Sequence, residues 1–220
     1  MTFVLVHGAW HGAWTWDRVV PLLGSEAVTP ELRLSGGLED DVKDVLAALD
    51  EVDGEVILVG HSYGGMVVRQ AADQRPEKVG HIVLVEGWAG PDGSALFDLA
   101  PEWFVDGLRS LAGEDGVIPA LPPQMVGVED PGDVRWLEGL LCPQPLRSFT
   151  EPTRLTGAVD RIPGTAIFGR AQTLPFADLG RALGYEAIAM DGPHDMMITH
   201  PEALAAHLRG IGDRRAATLE

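Results

Sequence analysis

The stretch Glu55-Val56-Ile57-Leu58-Val59-Gly60-His61-Ser62-Tyr63-Gly64-Gly65 passes from an apolar, β-branched run into a glycine-flanked serine. Glu55 to Gly60 reads as a buried strand, and Gly64 to Gln74, ended by Pro76, as a helix. A serine between the two must ride a sharp, strained turn. Glycines two positions to either side, Gly60 and Gly64, let neighbouring chain approach where a Cβ would clash. The turn sets the Ser62 hydroxyl at a helix N-terminus, where the dipole and unpaired N–H groups stabilise developing negative charge. By itself a G-x-S-x-G pattern is common and reads equally as a glycine-rich turn with an idle serine. The strand before it and the helix after it make Ser62 a candidate nucleophile.

Outward from this stretch, strand and helix patterns alternate. Thr2 to His7 and His81 to Val85 read as further buried strands, and a weaker strand is expected within Glu26 to Leu32. Asp17 to Leu23 reads as a short helix. Leu38 to Val52 reads as an amphipathic one, with Leu38, Val42, Val45, Leu46 and Leu49 on one face and Glu39, Asp40, Asp41 and Lys43 elsewhere. From about Gly87 to Ile162 prolines break the pattern repeatedly, which suggests an inserted helical cap over residues 88–162. Strand character resumes at Thr165 to Gly169 and Tyr185 to Met190, with helices at Phe176 to Leu183 and Pro201 to Leu208. The expected architecture is α/β: one mostly parallel sheet with helices on both faces, built from residues 1–87 and 163–210, with a frayed polar tail over 211–220.

A chain of 220 residues with 45% hydrophobic residues suffices for one domain and one core. The formal charge of −17 disfavours nucleic acid or an anionic membrane as partner. No apolar run reaches the roughly 20 residues of a membrane-spanning helix. The single cysteine, Cys142, closes no internal disulfide, and the N-terminus lacks a secretory pattern, so the cytoplasm is the expected location. A homodimer is allowed for, without a legible interface.

Two other segments carry chemistry. His194 lies in Asp191-Gly192-Pro193-His194-Asp195, in the loop after the last expected strand, where it would act as general base to Ser62. Its alternative is a surface histidine. His7-Gly8-Ala9-Trp10 ends the first strand, and its loop is expected beside the serine. The backbone N–H groups of Ala9 and Tyr63 are the candidate oxyanion donors. His7 and His11 have a spacing compatible with metal ligands, but no third ligand is evident and no metal is expected. His61 is expected to pack beneath the turn, and Asp195 to be a solvated loop acid.

The run Phe3-Val4-Leu5-Val6-His7-Gly8-Ala9-Trp10-His11-Gly12-Ala13-Trp14, with Gly60-His61-Ser62-Tyr63-Gly64-Gly65, resembles the α/β-hydrolase branch of plant methyl-ester esterases, hydroxynitrile lyases and their bacterial relatives. The likeness covers about two thirds of the chain and fades in the cap. It implies the α/β-hydrolase fold, a Ser, His and acid triad, a cap over an apolar pocket, and no cofactor. Gly8 replaces a threonine of the lyases and Asp195 a lysine, which argues against cyanohydrin cleavage. The family's usual acid, an Asp after the penultimate strand, is missing from Gly169-Arg170-Ala171-Gln172-Thr173-Leu174-Pro175. Glu86, ending the strand after the nucleophile helix, is the preferred substitute; Gln172, Asp178 or no third member are the alternatives. Trp10, Trp88, Trp103 and Trp136 are the candidate substrate-binding residues for a small hydrophobic ester, lactone or thioester. A C–C hydrolase, cyclase or lyase on the same scaffold, or a binding protein with little turnover, are the rival readings.

Overall fold

A computed structural model describes residues 1–33, 36–171 and 173–218. Six strands form one parallel sheet: β1 (Thr2–Val6), β2 (Ala27–Val28), β3 (Val56–His61), β4 (Val79–Val85), β7 (Gly164–Gly169) and β8 (Glu186–Met190), ordered β2-β1-β3-β4-β7-β8. A separate antiparallel ribbon joins β5 (Val117–Ile118) to β6 (Gln144–Pro145). The helices are α1 (Val20–Leu23), α2 (Leu38–Glu51), α3 (Gly64–Gln74), α4 (Leu96–Leu99), α5 (Glu102–Leu111), α6 (Pro131–Glu138), α7 (Arg147–Thr150), α8 (Phe176–Ala182), α9 (Met196–Thr199) and α10 (Pro201–Ala217).

The sheet is covered on both faces, which is why its central strands lack polar alternation. Val4, Val6, Leu58, Ile82 and Leu84 face one core with α2 and α3. The intervening Phe3, Leu5, Ile57, Val59, Val83 and Val85 face a second core with α10. The chain runs from β1 to β2 in one direction and from β3 onward in the other, so the sheet switches direction between β1 and β3. The carboxyl ends on either side of such a switch are where α/β sheets open a crevice. Residues 88–162 leave the sheet after β4 and return at β7, its immediate neighbour, carrying α4 to α7 and the ribbon.

The observed elements follow the expected ones with four differences. The weak second strand shrinks to Ala27–Val28, and the first helix to Val20–Leu23 behind a 3-10 turn at Ala13–Trp16. Asp41 lies on the buried face of α2, 1% exposed, held there by the Tyr63 hydroxyl at 2.6 Å. The expected frayed tail is instead helical to Ala217. Ile211 is 2% exposed within the second core, and Arg215 makes a two-pronged ion pair with Glu55 at 2.9–3.1 Å. The polarity of this segment belongs to its outer face. Ile211→Ala is therefore expected to lower stability by about 2 to 3 kcal/mol in urea unfolding, as a core truncation does, where a frayed tail would register no change.

Candidate active site

Four strand ends meet at the carboxyl edge of the sheet. Ser62 follows β3, with φ +51°, and the next helix starts two residues later. The turn tolerates only glycine at its flanks: a Cβ on Gly60 would lie 2.6 Å from the Gly64 carbonyl oxygen, and one on Gly64 2.6 Å from that of His7. A Cβ on Gly8 would lie 2.9 Å from His61 Nδ1 and 3.0 Å from Ser62 Cβ, so the loop after β1 lies directly against the serine. Trp10 (φ +65°) and Glu86 (φ +46°) are the other non-glycine residues in the left-handed region among those described. Such backbone costs about 1–3 kcal/mol per residue and persists where the surroundings over-determine it. Here all three line one cavity.

Glu86 is 2% exposed rather than facing water. Its Oε1 accepts the Gly169 N–H at 2.5 Å, and its Oε2 lies 3.2 Å from His194 Nδ1, which donates to it. The ring of His194 stacks on Phe176, with centroids 5.6 Å apart. Of the other acid candidates, Asp178 is an exposed partner of Arg181 and Gln172 lies outside the described residues. Ser62, Glu86 and His194 open on a cavity of about 680 Å³, within the range of small-molecule sites. Among the described residues no hydrogen bond joins Ser62 Oγ to His194, a contact that commonly tightens only around substrate.

Trp10, Trp88, Trp103, Phe104, Leu121, Met125 and Phe176 supply apolar wall, with Arg170, Thr173 and Asp191 on the polar side. Trp103 stands at 60% exposure. Trp136 lies outside this lining: it packs edge-on against Trp14 at 5.3 Å and under the Arg18 guanidinium at 5.1 Å. Trp136 is thus a packing residue on α6 and not, as expected, a substrate-binding one. Among the described residues, no turn or loop bond takes up the Ala9 or Tyr63 N–H.

Beside His194 lies a buried histidine–carboxylate cluster whose members are far apart in the sequence. Asp195, expected to be solvated, is fully buried and pairs with His11 Nε2 at 3.0 Å. The Met196-Met197-Ile198 run that follows it was the available signal, since all three residues are buried. His11 Nδ1 donates to the Ala9 carbonyl at 2.7 Å, while Nε2 faces the Asp195 carboxylate. Burial pulls its pKa down, but the Asp195 carboxylate outweighs burial and raises it; the same pairing lowers Asp195 against its own burial. His61, packed under the turn as expected, is held neutral by burial and by neighbouring His194, and its Nε2–H donates to the His194 carbonyl at 3.2 Å. Burial likewise lowers His7 to about 4; its Nδ1–H donates to the Gly8 carbonyl while Nε2 accepts the Leu32 N–H. His61, His194 and Asp195 bring ligand-type atoms within 4.8 Å of one another, but Asp195 is already committed to His11 and His61 Nε2 to a carbonyl.

The model of the alpha/beta hydrolase family matches residues 3–207, and the chain belongs to that family. It is 30% identical to the carbendazim hydrolyzing esterase of Nocardioides sp. over 96% of its own length and 99% of the other, which places it among the family's ester hydrolases. It is 36% identical to methylesterase 2 of Arabidopsis thaliana over 38% of each chain. An extracellular alpha/beta-hydrolase from a Paenibacillus species shares the fold, with TM-score 0.84 and 24% identity over 94% of this chain and 96% of that one.

The buried ion pair makes a pH signature. The folded pKa of His11 is raised above 6.5, so its contribution to stability is complete below 6.5 and is lost as pH rises through the folded value. That of Asp195 is lowered below 3.8, so its contribution is complete above 3.8 and is lost as pH falls through the depressed value. Asp195→Asn is expected to cost about 3 kcal/mol in denaturant unfolding near pH ~5 to 6, with the deficit narrowing toward both alkaline and acid pH.

Proposed function

We propose that the protein is a serine esterase that cleaves a small hydrophobic or aromatic ester, lactone or thioester through an acyl-Ser62 intermediate. The observation that carries this reading is the buried Glu86 carboxylate on His194 Nδ1, opening on the same cavity as Ser62. With Nδ1–H committed to Glu86, the tautomer is fixed and Nε2 is left with a lone pair to take the Ser62 proton. Glu86 then stabilises the imidazolium. The hydroxyl oxygen adds to the ester carbonyl, and the Ala9 and Tyr63 N–H groups bind the resulting oxyanion. His194 returns the proton to the leaving alcohol, and the acyl-enzyme is hydrolysed by water activated at the same nitrogen. No step calls for a cofactor or metal.

Trp10, Trp88, Trp103 and Phe104 give the walls an aromatic character suited to a flat or apolar substrate, with residues 88–162 as the cap that selects it. Similarity to an esterase of carbendazim supports an aromatic ester or carbamate as substrate. A small-molecule partner, and neither nucleic acid nor an anionic membrane, fits the charge of −17.

Intact-protein mass spectrometry after fluorophosphonate exposure tests the assignment. Wild type is expected to gain one adduct, Ser62→Ala none, and Glu86→Gln to label about 10²- to 10⁴-fold more slowly, as when the tautomer of a triad histidine is lost. A folded wild type that stays unlabelled, or turns over substrate without an acyl-enzyme, would replace this reading with a lyase or C–C hydrolase. Saturable ligand binding without turnover would point to a binding protein.

A further inference from the structure

Gln144, on β6 within residues 88–162, is fully buried although it is an uncharged polar residue with no place in the triad. Its Oε1 accepts the Trp10 N–H at 3.1 Å, and its Nε2 donates to Ser148 Oγ at 2.7 Å. Trp10 directly follows Ala9 and holds a left-handed φ of +65° that a tryptophan does not adopt unaided. The Ala9–Trp10 peptide is thus gripped at both polar atoms: the carbonyl by His11 Nδ1–H at 2.7 Å and the N–H by Gln144. One residue on, the Trp10 carbonyl accepts the Cys142 N–H at 2.9 Å. The opposite side of the site has a matching anchor, because the Tyr63 hydroxyl donates to buried Asp41 at 2.6 Å.

We propose that Gln144 is a positioning residue for the oxyanion hole, acting through the Trp10 N–H to hold the Ala9 N–H at the angle that meets the tetrahedral intermediate. The inference rests on the esterase reading above. A peptide in a left-handed turn can rotate unless its dipole is fixed, and a donor displaced by about 1 Å loses most of its value to the transition state. The bound ground state depends far less on that donor. Removal of the Gln144 acceptor therefore acts on kcat and leaves KM nearly in place. Residues 88–162 then do more than select the substrate: through one amide they set the geometry of the catalytic loop on the sheet.

The test is p-nitrophenyl acetate hydrolysis by the full chain, with thermal melts and fluorophosphonate labelling rates alongside. Gln144→Met keeps the volume and removes the acceptor; kcat is expected to fall about 10- to 100-fold with KM within about 3-fold, and the labelling rate to fall in parallel. Thr153→Ala, in the same segment, removes a buried hydroxyl that donates to the Pro91 and Ser94 carbonyls and touches neither Gln144 nor the Ala9 and Tyr63 loops; it is expected to lower the melting temperature while keeping kcat within about 3-fold. Should Gln144→Met not fold, Gln144→Asn, one methylene short of reaching Trp10, is read for the same loss. Wild-type kcat in a folded Gln144 variant, or an equal loss of kcat in Thr153→Ala, would overturn the proposal. Failure of the esterase reading would show differently, as absent Ser62 labelling in the wild type.

Discussion

The site depends on one steric constraint: the chain between β3 and α3 must turn through a left-handed serine in less room than a Cβ occupies. Gly60, Gly64 and Gly8 stand where the turn, the β1 carbonyl edge and the loop after β1 come into contact. This crowding lifts Ser62 clear of the sheet. It also brings the first loop so close that a Cβ on Gly8 would meet Ser62 Cβ at 3.0 Å. The cost of a non-glycine residue at positive φ is carried by the cores on either face, whose central strands are almost wholly buried.

A second strained residue does comparable work at the end of the adjacent strand. Glu86 leaves β4 at φ +46°, which turns its carboxylate back toward β7 and His194 instead of outward to water. The Gly169 N–H at one oxygen and His194 at the other leave it one geometry. Under the proposed mechanism the imidazole requires an acceptor on Nδ1 and not a particular loop of origin, and the Glu86 carboxylate stands at that atom.

Beside His194, charge is spent on rigidity. His11 binds both the Ala9 carbonyl and Asp195, and His61 binds the carbonyl of His194, so the loop after β1 and the loop after β8 are joined through buried polar groups. Gln144 and Asp41 extend the same principle to the cap segment and to α2. A buried polar group held by a hydrogen bond is fixed in orientation in a way apolar packing does not achieve, and these pairings converge on the residues flanking the proposed catalytic atoms.

Local sequence determined the elements and pointed to the two side chains proposed to react. Runs of Val, Ile and Leu marked the strands, the glycine spacing marked the turn at Ser62, and the position of His194 after the last strand marked the base. These are properties of neighbouring residues, readable from sterics and periodicity. Tertiary structure decided what depends on partners far apart in the chain. It chose Glu86 as the histidine's acceptor across 108 residues, buried Asp195 against His11 across 184, and drew Gln144 to Trp10 across 134. It also set Trp136 aside from the cavity and wound the C-terminal segment into α10, because only the packed cores define which face of a helix is inside. A carboxylate or an amide carries the same letter whether it is solvated or buried; its role is fixed by the group that folding places opposite it.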